Sequence, residues 1–527
     1  MFDLMIRHAR VIDGTGSPWF SGDVAIKDGR IAAMGPKLSA KAKEEIDATG
    51  LTLTPGFIDI HSHSDFSLVV DGSAESRLLQ GVTTEIGGNC GLSPAPVLPE
   101  RLDMLRKYSA FLTPDLEWSW ESFGEFLQKV AENRPGVNFG GMVGHGTLRV
   151  AAMGFDRRPP EESELETMRS LLRESMEQGA FGFSTGLIYP PGCYADTDEL
   201  AAIAEVLAPY GGIYETHMRN EGDSILDSID ESAAVGERVG IPVQIAHHKV
   251  VGRHNWGRGS ESQNRIAHWR AQGLDIANDQ YPYTASSTTI TTIFPDWAHE
   301  GGVDGLLMRL TTPDTRSQLL AEVAAKMAKQ SRRFEDILIA SVNLPENKHL
   351  EGKTVAEAAA EVNADPLEFC FDLVVAEKAG VASVVFGMDE ADVKTIMAHP
   401  LTMIGSDGSS MPIAGPGKPH PRNFSTFVRV LAKYALAEQV ISLEEAVRKM
   451  TSLPASRMRL FDRGMIRPGA WADLVLFDPA DLAETATFAA PRQAPTGIKR
   501  VFVNGQLAVK DGQVTGVRAG QVLRFGK

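Results

Sequence analysis

The chain has 527 residues, 43% of them hydrophobic and 23% charged, which is ordinary for a globular protein and long enough for an α/β barrel with insertions. Its 52 basic and 68 acidic residues leave a formal charge of −16, which argues against nucleic acid or an anionic membrane as a partner. No apolar run spans a bilayer, Met1 to Met5 lacks the basic start of a signal peptide, and Cys90, Cys193 and Cys370 cannot form a disulfide framework, so a cytoplasmic enzyme is expected.

Residues 1–54 alternate apolar and polar positions between turn signals. Leu4 to Asp13 precedes Gly14-Thr15-Gly16, and Asp23 to Lys27 passes through Asp28-Gly29, a hairpin signal, into Arg30 to Met34. The same texture returns over residues 461–527, in Ala472 to Phe477 and Arg500 to Gln506, with a second turn at Asp511-Gly512. The two ends read as one small sheet domain built from both termini.

Between them, strands alternate with helical stretches, the pattern of a parallel sheet. Eight candidate strands follow in order: Pro55 to Ile60, Gly81 to Ile86, Val137 to Val143, Ala180 to Thr185, Gly212 to His217, Pro242 to His247, Asp275 to Asp279 and Met403 to Asp407. Most end in a residue able to bind a metal or carry a proton, and active sites of (β/α)₈ barrels sit at those carboxyl ends. The expected fold is therefore α/β: a (β/α)₈ TIM-like barrel over residues 55–287 and 348–460. An inserted lid subdomain over residues 288–347 interrupts it, and Thr354 to Gly380 reads as barrel helix.

The chemistry starts at Phe57-Ile58-Asp59-Ile60-His61-Ser62-His63. Side chains two apart on a strand share a face, so His61 and His63 project into one space and can share a metal ion. Cys90 follows Gly87-Gly88-Asn89, where the backbone can turn tightly. It is either a soft thiolate ligand or a small buried hydrophobe, and its place at a strand's end favours the ligand. His217 and His247 end the fifth and sixth strands, so a Cys/His/His set with an open position for water is plausible. His248 faces the other way and reads as packing, as does His145. Asp407, in Gly405-Ser406-Asp407-Gly408, is either a turn residue or a carboxylate that moves a proton beside the metal; the metal set favours the second.

These motifs carry a resemblance. Pro55 to His63 resembles the first-strand signature of the amidohydrolase superfamily, and residues 464–478 resemble its C-terminal sheet signature. More narrowly, Gly88-Asn89-Cys90-Gly91, Glu215-Thr216-His217-Met218-Arg219, His247-His248-Lys249, Tyr281-Pro282-Tyr283 and His420-Pro421-Arg422 are similar to the D-aminoacylase (N-acyl-D-amino-acid deacylase) family, nearly end to end.

The resemblance implies a metal-dependent hydrolase barrel with a small β-sandwich built from both termini, hydrolysing N-acyl-D-amino acids with zinc. Cys90, His217 and His247 would hold the tight metal, His61 and His63 would line a second, weaker position, and Asp407 would be the acid/base. Lys249, Tyr281, Tyr283 and Arg422 would bind the substrate's carboxylate. Ser286 to Phe294 contains no Lys or Arg, so apolar side chains are expected over D-glutamate or D-aspartate. A cyclic-amide hydrolase of the dihydropyrimidinase kind is the rival, against which Phe181 to Thr185 lacks the lysine such enzymes carboxylate. A non-catalytic scaffold on the same fold is the second rival.

Overall fold

The computed structural model describes residues 1–112 and 117–526. All eight expected strands are present and parallel. They are Phe57–Asp59, Val82–Gly87, Asn138–Gly141 continued by Val143–Gly144, Gly182–Gly186, Ile213–His217, Val243–Ile245, Ile276–Gln280 and Thr402–Ile404. Their residues are buried throughout, which is what near-continuous apolar and small-residue runs predict for a sheet covered on both faces. The ring closes beyond the strand ends: the Asp407 N–H donates to the His61 carbonyl and the His63 N–H to the Gly408 carbonyl, each at 2.8 Å. Asp59 adds to the closure by accepting from the Ser406 N–H at 2.8 Å and the Ser406 hydroxyl at 2.5 Å.

Two apolar regions frame these strands. Outside, helices such as Glu162–Glu177, Ile225–Val239 and Leu443–Met450 bury Leu172, Ile229 and Val447 against the sheet. Phe181, Ile213, Ala277 and Met403 form a separate cluster. By strand alternation Ile213 shares a face with Glu215 and His217, and Ala277 with Asp279. The apolar layer and the polar layer that carries Glu215, His217 and Asp279 are therefore successive rungs of the same strands.

The termini assemble into one sheet domain, a single sheet of nine strands where a sandwich is expected, with its own core of Ile6, Val24, Ile26, Leu53, Leu474 and Phe502. Leu474–Phe477 pairs antiparallel with Thr52–Pro55 and so joins the two ends of the chain. Both Asp-Gly turns fall where strands reverse, between Phe20–Lys27 and Arg30–Gly35 and between Gln506–Lys510 and Gln513–Val514.

The insertion differs from expectation. It is a three-stranded antiparallel sheet, with Ala382–Phe386 between Ala285–Thr289 and Ile337–Ser341, packed on its own helices. Helices Val355–Glu361 and Pro366–Ala376, expected in the barrel, bury Val355, Phe371 and Val374 in the same core as Phe294, Leu319 and Ile339. Glu390–Ala398 supplies the helix between the seventh and eighth strands instead, burying Val393 and Met397 in the barrel's core. An apolar stripe specifies that a helix is covered but not by which core.

Arg77 tests how the barrel is held. Its fully buried side chain pairs with Glu85 on the second strand at 2.8 Å and lies 3.6 Å from Asp59 on the first. Arg77→Met leaves two buried carboxylates without their cation and is expected to cost about 3–5 kcal/mol. Urea denaturation checks this; an unchanged midpoint would contradict it.

Candidate active site

The strand ends deliver the expected side chains, and three of them sit on unusual backbone. Cys90, His247 and Asp407 have φ of 53°, 33° and 51°. For a residue with a Cβ this left-handed conformation is costly and persists only where the surroundings impose it. Around Cys90, the Asn89 amide donates to the carbonyls of Ser62 (3.0 Å) and Ile86 (2.8 Å). The Ser184 hydroxyl, on the fourth strand, accepts from the Gly91 N–H at 3.0 Å and donates to the Gly88 carbonyl at 2.5 Å. Gly88 admits no side chain, since a Cβ there would stand 2.0 Å from the Met142 carbonyl oxygen. The His247 N–H is taken by Asp279 Oδ1 at 2.8 Å.

On this frame the functional atoms meet. Cys90 Sγ lies 3.4 Å from His61 Nε2 and 3.3 Å from His247 Nε2, and His247 Nε2 lies 2.9 Å from His217 Nδ1. Asp407 Oδ1 is 3.2 Å from His63 Nε2 and 3.6 Å from His61 Nε2. One atom each from His61, Cys90, His247 and Asp407 fall within 4.8 Å of one another, and so do His217, Glu221 and His247, with His247 common to both groups.

This donor set fits a divalent metal of borderline softness. His63 Nδ1 and His217 Nε2 are buried without a hydrogen-bond partner. Burial holds both His217 and His247 well below the usual imidazole range, so they stay neutral as ligands must. Burial also pushes the Cys90 thiol up to about 12, so a metal held there would have to displace its proton.

Asp407 and Arg422 face each other across the same space at 2.7 Å. Burial works against the Asp407 carboxylate, but Arg422 first and then the surrounding histidines hold it well below the usual range. Arg422 also donates to the Ser287 carbonyl at 3.3 Å, and its Nε has no partner. Tyr281 lies beneath two cations, with Arg422 5.0 Å and Lys249 5.6 Å from its ring, and its hydroxyl is likewise unpartnered. All of these line one cavity of about 550 Å³ whose far wall comes from the insertion.

The structure brings together His61, His63, Cys90, His217, His247, Asp407, Lys249, Tyr281 and Arg422. Tyr283 stands apart, packed edge-on against His420 at 5.0 Å with Arg429 over its ring. His248 is buried and bonds Ser262, and His145 pairs with Glu199, both away from the cluster. Sequence reasoning missed Asp279, 3.2 Å from His61 Nδ1, and Glu215, 3.6 Å from it and pushed up to about 8 by burial. Strand alternation was the available signal for Glu215, two residues before His217 on the same face. It also missed Glu221 and Tyr189; the Tyr189 ring packs on His217 at 5.1 Å and its hydroxyl meets that of Thr288 in the insertion. Both are loop residues, and no periodicity marks them.

The chain belongs to the amidohydrolase family, whose model matches residues 44–509. Within it the chain falls among the D-aminoacylases. It is 37% identical over 529 residues to a D-aminoacylase of Alcaligenes xylosoxydans xylosoxydans, covering 99% of this chain and 97% of the relative. It is 38% identical over 530 residues to an N-acyl-D-aspartate deacylase of the same organism, covering 99% and 95%. The solved structure of an N-acyl-D-glutamate deacylase from Bordetella bronchiseptica, complexed with zinc and a phosphonate inhibitor, superposes with a TM-score of 0.83 at 34% identity over 99% of both chains. Among the described residues no helix is long and apolar enough to cross a membrane.

The ligand geometry makes a direct prediction. If Cys90 is a ligand, Cys90→Ser lowers bound metal to a small fraction of the wild-type content, read by elemental analysis after dialysis. Because the thiol must lose its proton, metal affinity falls as pH falls, by about tenfold per unit for one displaced proton. A Cys90→Ser protein with wild-type metal content, or an affinity independent of pH, would count against the assignment.

Proposed function

We propose that the enzyme uses zinc to hydrolyse the amide of N-acyl-D-amino acids, releasing a carboxylate and a D-amino acid. The observation that carries this reading is the meeting of Cys90, His217 and His247 with the Asp407–Arg422 pair in one cavity. Cys90, His217 and His247 would hold the tight ion, while His61 and His63 would line a weaker second position. The chemistry that zinc supplies at such ligands is Lewis acidity, which polarises a carbonyl and acidifies water.

The chain's own residues do the rest. Asp407 accepts a proton from the attacking water and returns it to the departing amine. Arg422 holds that carboxylate in place with one nitrogen and keeps other donors for the substrate's α-carboxylate, aided by Lys249 and the Tyr281 hydroxyl. Tyr283 is assigned to steadying this wall through His420, whose backbone neighbour Pro421 leads into Arg422. Similarity to enzymes acting on D-aspartyl and D-glutamyl substrates supports the D configuration.

For the side chain we infer apolar groups. The wall from Ser286 to Phe294 has no cation of its own, and Lys326, which reaches it, is committed to the carbonyls of Thr292 (3.1 Å) and Phe294 (3.2 Å). The three cysteines are all free, which suits the cytoplasmic setting expected from composition.

Paired N-acetyl-D- and N-acetyl-L-amino acids, assayed with and without a chelator, test the proposal. Release of acetate from the D series alone, lost on chelation and restored by zinc, is expected. Asp407→Asn is expected to lower kcat by about 10²–10⁴-fold, the usual worth of a general acid–base. Turnover of hydantoin but of no N-acetyl-D-amino acid would overturn the reading. A higher kcat/KM for N-acetyl-D-glutamate than for N-acetyl-D-leucine would overturn its side-chain part alone.

A further inference from the structure

Glu221 lies on the loop between the fifth strand and helix Ile225–Val239, and it lines the cavity behind two of the assigned metal ligands. Its Oε1 stands 3.1 Å from His247 Nδ1 and forms an ion pair with the Lys249 ammonium. Its Oε2 is the carboxylate oxygen facing His217 Nε2, at 3.6 Å. These are the outer nitrogens of the two rings. The inner ones, His247 Nε2 and His217 Nδ1, face each other at 2.9 Å, with Cys90 Sγ 3.3 Å from the former.

A neutral imidazole carries one proton, and the partner at one nitrogen decides what the other can do. A carboxylate only accepts, so Glu221 draws the proton to His247 Nδ1 and leaves the lone pair on Nε2, pointing at Cys90. Lys249 pulls the opposite way. Its ammonium only donates and sits 2.8 Å from the same Nδ1, where it favours the tautomer whose proton is on Nε2 and whose inner nitrogen cannot bind a metal. With Glu221 present, both donors have one acceptor; with it absent, Lys249 sets the tautomer.

We propose that Glu221 is a positioning residue for the metal centre: it fixes the tautomer of His247, so that its inner nitrogen is free to ligate. The proposal rests on the metal reading given above. It makes Lys249 a fixed partner of Glu221 in the resting site, so the loop that carries Glu221 links substrate recognition to metal retention. Partners of this kind behind ligand histidines are worth about 10–100-fold in metal affinity.

The test is zinc affinity by competition with a chromophoric chelator, on the wild type, Glu221→Met, Glu221→Asp, Lys249→Met and the double variant Glu221→Met/Lys249→Met. Glu221→Met is expected to weaken zinc by about 10–100-fold, Glu221→Asp to recover part of the loss, and Lys249→Met to keep affinity within about threefold, since the acceptor remains. Cobalt-substituted Glu221→Met should retain the thiolate-to-metal absorption of Cys90 while its ligand-field bands shift. Should the unpaired lysine unfold the single variant, the double variant restores charge balance and is expected to fold, to recover part of the affinity through relief of the lysine, and to remain below Lys249→Met. Equal affinity of Glu221→Met and wild type, or of the double variant and Lys249→Met, would overturn the inference. A wild type that binds no zinc would instead overturn the metal reading itself.

Discussion

The site depends on how the barrel closes. The backbone of Asp407 is hydrogen-bonded to that of His61, and His63 to Gly408, while Asp59 grips Ser406 from the first strand. These bonds tie the eighth strand to the first across more than three hundred residues of chain and set the Asp407 carboxylate against His63 at 3.2 Å. Without that register, the eighth strand would present its carboxylate elsewhere, since a slip of one residue turns every side chain to the opposite face.

Holding so many polar groups together is unfavourable by itself. Cys90, His247 and Asp407 sit in left-handed backbone, and two imidazoles present nitrogens to each other at 2.9 Å. The surroundings compensate through a layer of partners just behind the site: Asn89 and Ser184 around the Cys90 loop, Asp279 on the His247 backbone, Arg77 between Asp59 and Glu85. Strain and crowding of this kind concentrate where function requires a geometry that folding alone would not choose. A bound cation turns the crowding of lone pairs from a cost into a preorganised site.

Much of this was legible in the sequence, for physical reasons that can be named. A strand buried on both faces shows as an apolar run, and its end shows as a break to Gly or a polar residue, so His61, Cys90, His217, His247 and Asp407 could be marked as strand-end groups. The hairpins at Asp28-Gly29 and Asp511-Gly512 were equally plain, because the turn itself demands those residues. The left-handed conformations at Cys90, His247 and Asp407 left no trace, since only glycine advertises a positive φ. Glu221 and Asp279 look like any loop or strand-end acid until the partner is in view. The helices Val355–Glu361 and Pro366–Ala376 went to the wrong core because an apolar face names no partner.

The central claim is that Cys90, His217 and His247 converge on one ion at the carboxyl ends of the strands. The most direct measurement is anomalous diffraction from crystals of the zinc-loaded protein, recorded on both sides of the zinc edge. The account predicts a peak within bonding distance of Cys90 Sγ and His247 Nε2, roughly 2.0–2.3 Å for such ligands. Zinc density elsewhere, with Cys90 and His247 in direct contact and nothing between them, would contradict it.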